Sequence, residues 1–384
     1  MKFEFATSAR ITFGPGALAS AGGAARELGR RAFVVTGRDP GRAERLLGLL
    51  AAEEIAATTF AIAGEPTTDR VDAAAARARE ASCDFVIGFG GGSAIDAAKA
   101  VAALLANPGC LGDYLEIVGR AQPLARPAAP CLAIPTTAGT GAEVTRNAVL
   151  AAPSRGLKVS LRSPHMLPRH AIVDPELTRG LPPALTASTG MDALTQLIEP
   201  YVSRRANPLV DGICAEGIRR ASRSLRAAFR DGADPAARED MALASLFGGL
   251  ALANAGLGAA HGFASPIGGM FPAPHGAVCA ALLPHVMAAN IEAARARQPD
   301  GGTARRYRDI ARWLTGDEEA SPEDGVRWVR SLVADLQIPG LGAWGVSRGH
   351  LEILVSRAAQ ASSMQGNPLP LTSDELGSIL SAAL

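Results

Sequence analysis

The stretch that decides the fold lies at residues 84–96 and reads DFVIGFGGGSAID. An apolar run there ends in Gly90, Gly91 and Gly92, and a segment with helical spacing starts at Ser93. Glycines let a backbone approach a pyrophosphate closely, and the first amides of a helix attract an anion. We therefore predict a strand, a phosphate-binding turn and a helix, even though Ser93 stands where the usual dinucleotide fingerprint has its third glycine.

Short apolar runs alternate with amphipathic segments through the rest of the first half. Continuous apolar strands separated by helices are typical of a parallel sheet covered on both faces. We expect a Rossmann-like α/β domain built from this alternation. Its predicted strands are 10–13, 32–36, 58–63, 84–88, 131–135 and 171–174, and its predicted helices are 16–28, 41–52, 68–81 and 93–105.

The second half of the chain has a different pattern. From Thr186 onward apolar residues recur at spacings of three and four, as in 211–228 and 236–253, which indicates packed helices. The sequence Leu181-Pro182-Pro183 interrupts the pattern between the two halves. We predict a dinucleotide-binding α/β domain over residues 1–183 and an all-helical domain over residues 184–384.

The composition excludes several classes of protein. The 38 basic and 37 acidic side chains give a net charge of +1, which offers no footprint for nucleic acid or an anionic membrane. No apolar run reaches the ~20 residues that span a bilayer, and the N-terminus lacks the apolar core of a signal peptide. Five scattered cysteines without a CxxC pair are typical of buried thiols in a reducing cytosol. We expect a cytoplasmic protein.

Two further loops strengthen the prediction of a nucleotide site. Thr136, Thr137 and Thr140 follow the strand predicted at 131–135, and polar loops at the carboxyl ends of parallel strands are where open α/β sheets bind ligands. After the second predicted strand come Gly37 and Arg38 rather than an acid. An acid would repel a ribose 2′-phosphate, whereas an arginine can hold one. We therefore expect NADPH to be accepted at least as well as NADH.

The helical half carries an unusual polar constellation. Asp192, Gln196 and Glu199 fall on one face of a predicted helix, and His261 and His275 lie in apolar, glycine-rich surroundings. A lone buried histidine is most often a core residue with a satisfied hydrogen bond. Two of them with an acid on another helix are equally compatible with an N,N,O site for a divalent metal ion. Glycines beside both histidines would let helices approach closely.

Taken together in order and spacing, six segments resemble the iron-containing, or group III, alcohol dehydrogenase family over essentially the whole chain. The resemblance implies an N-terminal dinucleotide-binding domain, a C-terminal helical domain of the dehydroquinate synthase-like fold, and an active site in the cleft between them. It also makes a homodimer or a larger homo-oligomer the expected assembly. The segments are GFGGGSAIDAAKA (88–100), IPTTAGTGAEVT (134–145), VDPELT (173–178), GMDALTQLIE (190–199), HGFASPIGGMFPAPHGAVCAALLPHVM (261–287) and Asn367-Pro368.

The resemblance also implies the site residues. Asp192, His261 and His275 match metal ligands of the family, and the position of the fourth ligand, a histidine in the iron enzymes, is taken by Gln196. Ser265 stands where many members have a histidine proposed to relay protons. Because an amide oxygen is a weaker donor than imidazole, Gln196 should lower the affinity of the site for iron. The other three ligands with an open position suit catalytic zinc, so both metals are candidates. Further cofactor contacts implied by analogy are Asp96, Lys99, Thr136, Thr137, Thr140, Lys158 and Leu177.

The expected activity is the NAD(P)-dependent interconversion of a small alcohol and its aldehyde or ketone. A metal-independent reductase of keto acids, similar to the maleylacetate reductases, is an alternative. A non-catalytic nucleotide-binding relative that lost its site at Gln196 and Ser265 is another. A dehydroquinate synthase-type enzyme is disfavoured, because the segments around 192 and 261–275 contain few of the lysines and arginines that a phosphorylated substrate needs.

Overall fold

The computed structural model describes residues 2–384, apart from the side chain of Ser154. The chain divides into two compact units. The α/β unit comprises Ala6–Thr137 and Gly141–Thr178. The helical unit comprises Arg179–Leu384, the short segment Ala138–Thr140 and the N-terminal residues up to Phe5. The division predicted at residue 183 stays a prediction.

The α/β unit is built on a six-stranded parallel sheet in the order β1-β8-β5-β4-β2-β3. Its central strands are buried along their whole length because they carry almost only apolar residues and are covered on both faces. This confirms the predicted Rossmann-like sheet. The strands of the unit are β1 (Arg10–Phe13), β2 (Arg31–Thr36), β3 (Ala56–Ala61), β4 (Phe85–Gly90), β5 (Cys131–Pro135), β6 (Asn147–Ala152), β7 (Leu157–Arg162) and β8 (His170–Val173).

An antiparallel hairpin was not predicted from the sequence. Strands β6 and β7 pair from Asn147↔Arg162 to Ala152↔Leu157 outside the main sheet. Burial alternates along β6 because only one of its faces packs on the unit. The helices of this unit are α1 (Ala21–Arg26), α2 (Glu44–Ala52), α3 (Thr68–Glu80), α4 (Gly92–Ala106) and α5 (Leu111–Tyr114).

The second unit is helical, as predicted, and its core is formed by apolar faces of α6, α7, α8, α10, α11 and α12. Helix α6 lies at the centre and is buried almost continuously from Gly190 to Val202, including its polar residues. The helices are α6 (Pro183–Val202), α7 (Pro208–Arg230), α8 (Pro235–Ala255), α9 (Ala259–Met270), α10 (His275–Arg297), α11 (Gly302–Thr315), α12 (Pro322–Asp335), α13 (Leu351–Gln360) and α14 (Ser373–Ala382).

Helix α10 is long and apolar enough to cross a membrane by length and composition, which differs from the expectation that no run reaches that length. However, 78% of its apolar window is buried inside the protein. A helix that other helices surround in this way has the environment of a core helix. Its apolar character therefore follows from its position in the helical unit.

A buried acid in the α/β unit provides a stability prediction. Burial raises the pKa of the Glu143 carboxyl to about 7. A carboxyl whose pKa is raised on folding contributes stability at low pH that is lost as the pH rises through the folded pKa. The variant Glu143→Gln should therefore exceed the free energy of unfolding of the wild type by less than about 1 kcal/mol at pH 5 and by about 3 kcal/mol at pH 8. Urea titrations at both pH values test this, with exposed Glu318→Gln as the control; an equal difference at both would contradict it.

Candidate active site

The glycine turn predicted from residues 84–96 connects β4 to α4. A Cβ atom added at Gly90 would meet the Ala94 Cβ at 2.7 Å, so only glycine fits this approach of strand to helix. Gly91 caps the start of α4 without any side-chain hydrogen bond to the first turn. The helix therefore presents its first amides and the positive end of its dipole at this turn, as an anion site requires.

Three loops meet at this turn. Strands β2 and β4 are neighbours, and the direction of strand succession reverses between them, which is where open α/β sheets bind nucleotides. The backbone nitrogen of Gly37 lies 3.2 Å from the position of a Cβ on Gly90. The Thr136 amide donates a 2.9 Å hydrogen bond to the Gly90 carbonyl, and the Thr137 side chain lies 3.3 Å from a Cβ position on Gly91. The three predicted loops thus form one cradle, with Arg38 exposed at its edge.

The other predicted cofactor residues lie in varied surroundings. The Lys158 ammonium pairs with Glu65 at 3.0 Å, and the Leu177 carbonyl accepts a 2.8 Å hydrogen bond from Arg42. Asp96 pairs with Lys99 of the same helix at 2.9 Å, and it accepts a 2.9 Å hydrogen bond from the Val149 amide, which joins α4 to the hairpin. Of the three predicted threonines, Thr136 and Thr137 lie in the α/β unit, and Thr140 lies in the helical unit.

A cluster of metal-type donors lies in the helical unit. It consists of Asp192 on α6, His261 on α9, and His275 and Cys279 on α10, and one donor atom from each lies within 4.8 Å of all the others. Three of the four residues were predicted. Cys279 was not predicted, although it lies one helical turn after His275 and therefore on the same face of α10.

The donor atoms lie close to one another, but several of them form no hydrogen bond. His261 Nε2 lies 3.4 Å and His275 Nε2 lies 3.7 Å from Asp192 Oδ1. Within residues 2–384, Asp192 Oδ1, His261 Nε2 and Gln196 Oε1 are buried without a hydrogen-bond partner. Buried polar atoms without partners are costly, so such a convergence indicates a bound group. The carboxylate, imidazole and amide donors fit a divalent metal ion.

Glu199 fixes the orientation of His261, a role that the sequence did not reveal. One Glu199 oxygen lies 2.6 Å from His261 Nδ1, and the other accepts a 2.7 Å hydrogen bond from the Ala260 amide. Carboxylates that hold the second nitrogen of a ligating imidazole are typical of metal sites. The segment is further held by Asn367, which accepts hydrogen bonds from the Ala259 amide and from Asn290.

Charge complementarity shifts the pKa values of the cluster. Burial raises the pKa of the Asp192 carboxyl, but His275 and His261 outweigh burial and hold it below its ordinary value. Burial likewise raises the pKa of the Cys279 thiol, and the same two imidazoles lower it below the ordinary value. Burial lowers the pKa of His261, whereas Cys279 and Glu199 raise it well above the usual value. Two acidic and two imidazole groups therefore stabilise each other's charged forms.

Close helix packing produces this geometry. A Cβ atom added at Gly276 would lie 2.0 Å from the Ser188 carbonyl oxygen and 3.0 Å from the Asp192 Cβ. A Cβ at Gly262 would lie 2.8 Å from the Met364 side chain. These glycines follow His275 and His261 directly, so their lack of a side chain lets both histidine-bearing helices approach their neighbours. Ser265 lies one turn after His261 on α9 and is partly exposed.

The α/β unit carries a cradle of the kind that binds nucleotides, and the helical unit carries a cluster of metal-type donors; this combination is typical of nucleotide-dependent metalloenzymes. The model for the iron-containing alcohol dehydrogenase family matches residues 8–175, and the model for the C-terminal part of that family matches residues 186–384. Alcohol dehydrogenase 4 of Schizosaccharomyces pombe is 36% identical over 97% of this chain and 87% of its own length.

Solved structures agree. A 1,3-propanediol oxidoreductase covers 100% of both chains with a TM-score of 0.93 and 33% identity. A sulfoacetaldehyde reductase of Bifidobacterium kashiwanohense in complex with NAD+ covers 100% of this chain and 99% of its own, with a TM-score of 0.87 and 28% identity. The protein belongs to the iron-containing alcohol dehydrogenase family. It is an NAD-dependent alcohol oxidoreductase, and this confirms the fold and the class of activity expected from the sequence.

Proposed function

We propose that the protein interconverts a small alcohol and its aldehyde or ketone with NAD(P)(H), using a divalent metal ion held by Asp192, Gln196, His261 and His275. The observation that carries this proposal is the pair of buried atoms Asp192 Oδ1 and His261 Nε2, which lie 3.4 Å apart and have no hydrogen-bond partner among the described residues; Gln196 Oε1, one turn further along α6, is likewise buried and unpartnered. A metal ion bound there would polarise the carbonyl group and stabilise negative charge on its oxygen.

The residues of the chain have separate tasks in this proposal. Glu199 holds the His261 ring so that Nε2 points toward Asp192. Gly90, Gly91, Gly92 and Ser93 bind the pyrophosphate, while Gly37, Thr136 and Thr137 line the same cradle. Ser265, one turn after His261, takes the position of a proton-relaying group, with a water or a ribose hydroxyl as its alternatives.

Arg38 is the residue proposed to recognise a ribose 2′-phosphate. Its neighbour Asp39 caps the backbone by accepting a 3.0 Å hydrogen bond from the Gly41 amide, so that acid is engaged elsewhere. Loss of one charge-assisted hydrogen bond should cost about 1.5–3 kcal/mol, so Arg38→Ala should raise KM for NADPH about tenfold or more while KM for NADH changes little. Steady-state kinetics with both cofactors test this; equal changes in the two KM values would contradict it.

Metal dependence is the experiment that separates the proposal from its alternatives. We expect purified enzyme to contain about one iron or zinc ion per chain, and dipicolinate to abolish oxidation of short alcohols and diols until a metal salt is added. Metal-free protein that reduces keto acids at full rate would instead indicate the reductase alternative. Failure to turn over NADH or NADPH with any alcohol, aldehyde or keto acid would favour a non-catalytic nucleotide-binding protein.

We also propose a cellular location and an assembly state for the enzyme. The scattered cysteines and balanced charge support a cytoplasmic enzyme that acts on small molecules without nucleic acid or membrane partners. A homodimer or larger homo-oligomer is expected from the family, and light scattering on the purified protein would test it.

A further inference from the structure

We propose that Cys279 provides a sulfur ligand to the metal, so that this site is an Asp, His, His, Cys site rather than one that relies on Gln196 as its fourth donor. This inference rests on the proposed function, because it concerns the same metal. Cys279 is a sulfur donor that was not among the predicted ligands, and it changes which metal the site prefers.

The first argument is position. Cys279 follows His275 by one turn of α10, so both side chains lie on the face that meets Asp192 of α6. Cys279 Sγ lies 3.9 Å from His275 Nε2, and both belong to the group of donor atoms within 4.8 Å of one another. The cysteine is fully buried in a helix whose Cβ direction is fixed, so its sulfur is held in place.

The second argument is the match to metal geometry. Bonds of about 2.0–2.3 Å at tetrahedral angles place ligand atoms about 3.3–3.6 Å apart. The observed separations are 3.4 Å from His261 to Asp192, 3.7 Å from His275 to Asp192 and 3.9 Å from Cys279 to His275. Contraction by a few tenths of an ångström, which a bound cation would cause, turns these separations into edges of one coordination polyhedron.

The third argument is independent of the cysteine. Asp192 Oδ1 and His261 Nε2 are buried and have no hydrogen-bond partner in the described part of the chain. Their residues are only 2% and 5% exposed, so water does not satisfy them from outside. A donor atom of each of these two residues lies within 4.8 Å of the Cys279 donor atom. The unsatisfied donors and the thiol therefore share one central position.

The consequence concerns metal selection. Thiolate is a soft ligand that favours zinc, whereas a site of oxygen and imidazole ligands accepts iron readily. Zinc in catalytic sites also accepts five ligands, so four protein donors do not close the site to a substrate. Cys279 therefore biases this chain toward zinc and compensates for the weak amide donor at Gln196.

The test uses cobalt(II), which reports its ligands by absorption. The full-length protein is stripped with dipicolinate, loaded with one equivalent of cobalt(II), and compared with Cys279→Ser, Cys279→Ala and Cys110→Ser. Cys110 is the exposed thiol and is the matched control. We expect a near-ultraviolet sulfur-to-cobalt charge-transfer band in the wild type and in Cys110→Ser, and its loss in both Cys279 variants.

A competition assay gives a second readout. Because loss of an outer-sphere partner already lowers metal affinity 10–100-fold, loss of the sulfur ligand should weaken zinc binding at least about 100-fold against a chromophoric chelator. Visible cobalt bands without a sulfur band, or zinc affinity unchanged in both Cys279 variants, would overturn the role of Cys279 and leave the proposed function intact. A wild type that binds no stoichiometric metal would overturn both.

Discussion

Replacing Asp192 with asparagine is expected to lower kcat/KM for alcohol oxidation by at least about 1,000-fold, because charge stabilisation by a catalytic metal is worth several kcal/mol. Asparagine keeps the size and shape of the side chain, so the core around α6 should persist. What disappears is the negative charge that lies 3.4 Å from His261 Nε2 and 3.7 Å from His275 Nε2. Metal analysis of the purified variant should show loss of the bound ion in parallel with loss of turnover.

The control for this experiment is Asp300→Asn, which removes a carboxyl from an exposed loop and should leave both metal content and turnover unchanged. Thermal unfolding of the variants separates loss of the metal from loss of the fold. A turnover within tenfold of the wild type in Asp192→Asn, at normal metal content, would show that Asp192 is not part of the reaction centre.

The sheet was predictable because its strands are buried on both faces. Such strands must be apolar along their buried length, and β4 and β5 are therefore visible as continuous apolar runs that end in glycine or proline. The β6–β7 hairpin escaped prediction for the opposite reason. Only one face of β6 is buried, and its alanines leave little contrast between the two faces.

The polar cluster was only partly predictable, since spacing along a helix shows which residues share a face but not what that face meets. Asp192 and Glu199 were placed on one face of α6, yet only the fold shows that Glu199 lies 2.6 Å from His261 Nδ1. Cys279 looked like an ordinary buried thiol. The expectation of buried thiols is correct for Cys83, Cys131, Cys214 and Cys279 but wrong for Cys110, which is exposed.

The second large effect is expected at Gly276, because the close packing of α10 against α6 at this glycine sets the position of His275. The variant Gly276→Ala would place a methyl group 2.0 Å from the Ser188 carbonyl oxygen, which is backbone and cannot move aside alone. Helix α10 would have to shift away from α6. Overpacking a core typically costs about 1–3 kcal/mol of the free energy of unfolding, so we expect the helical unit to unfold at a lower urea concentration.

The same shift should damage the site even though no donor is changed. A displacement of about 1 Å can cost about 100-fold in rate, and His275 precedes the altered residue directly. Gly212→Ala is the matched control, because Gly212 is exposed on α7 and the added methyl group meets nothing within 4 Å. That variant should be more stable by about 0.5–1 kcal/mol and fully active. Urea titration, metal content and kcat/KM are measured for both variants, and full activity in Gly276→Ala would show that contact between α6 and α10 does not set the geometry of the donors.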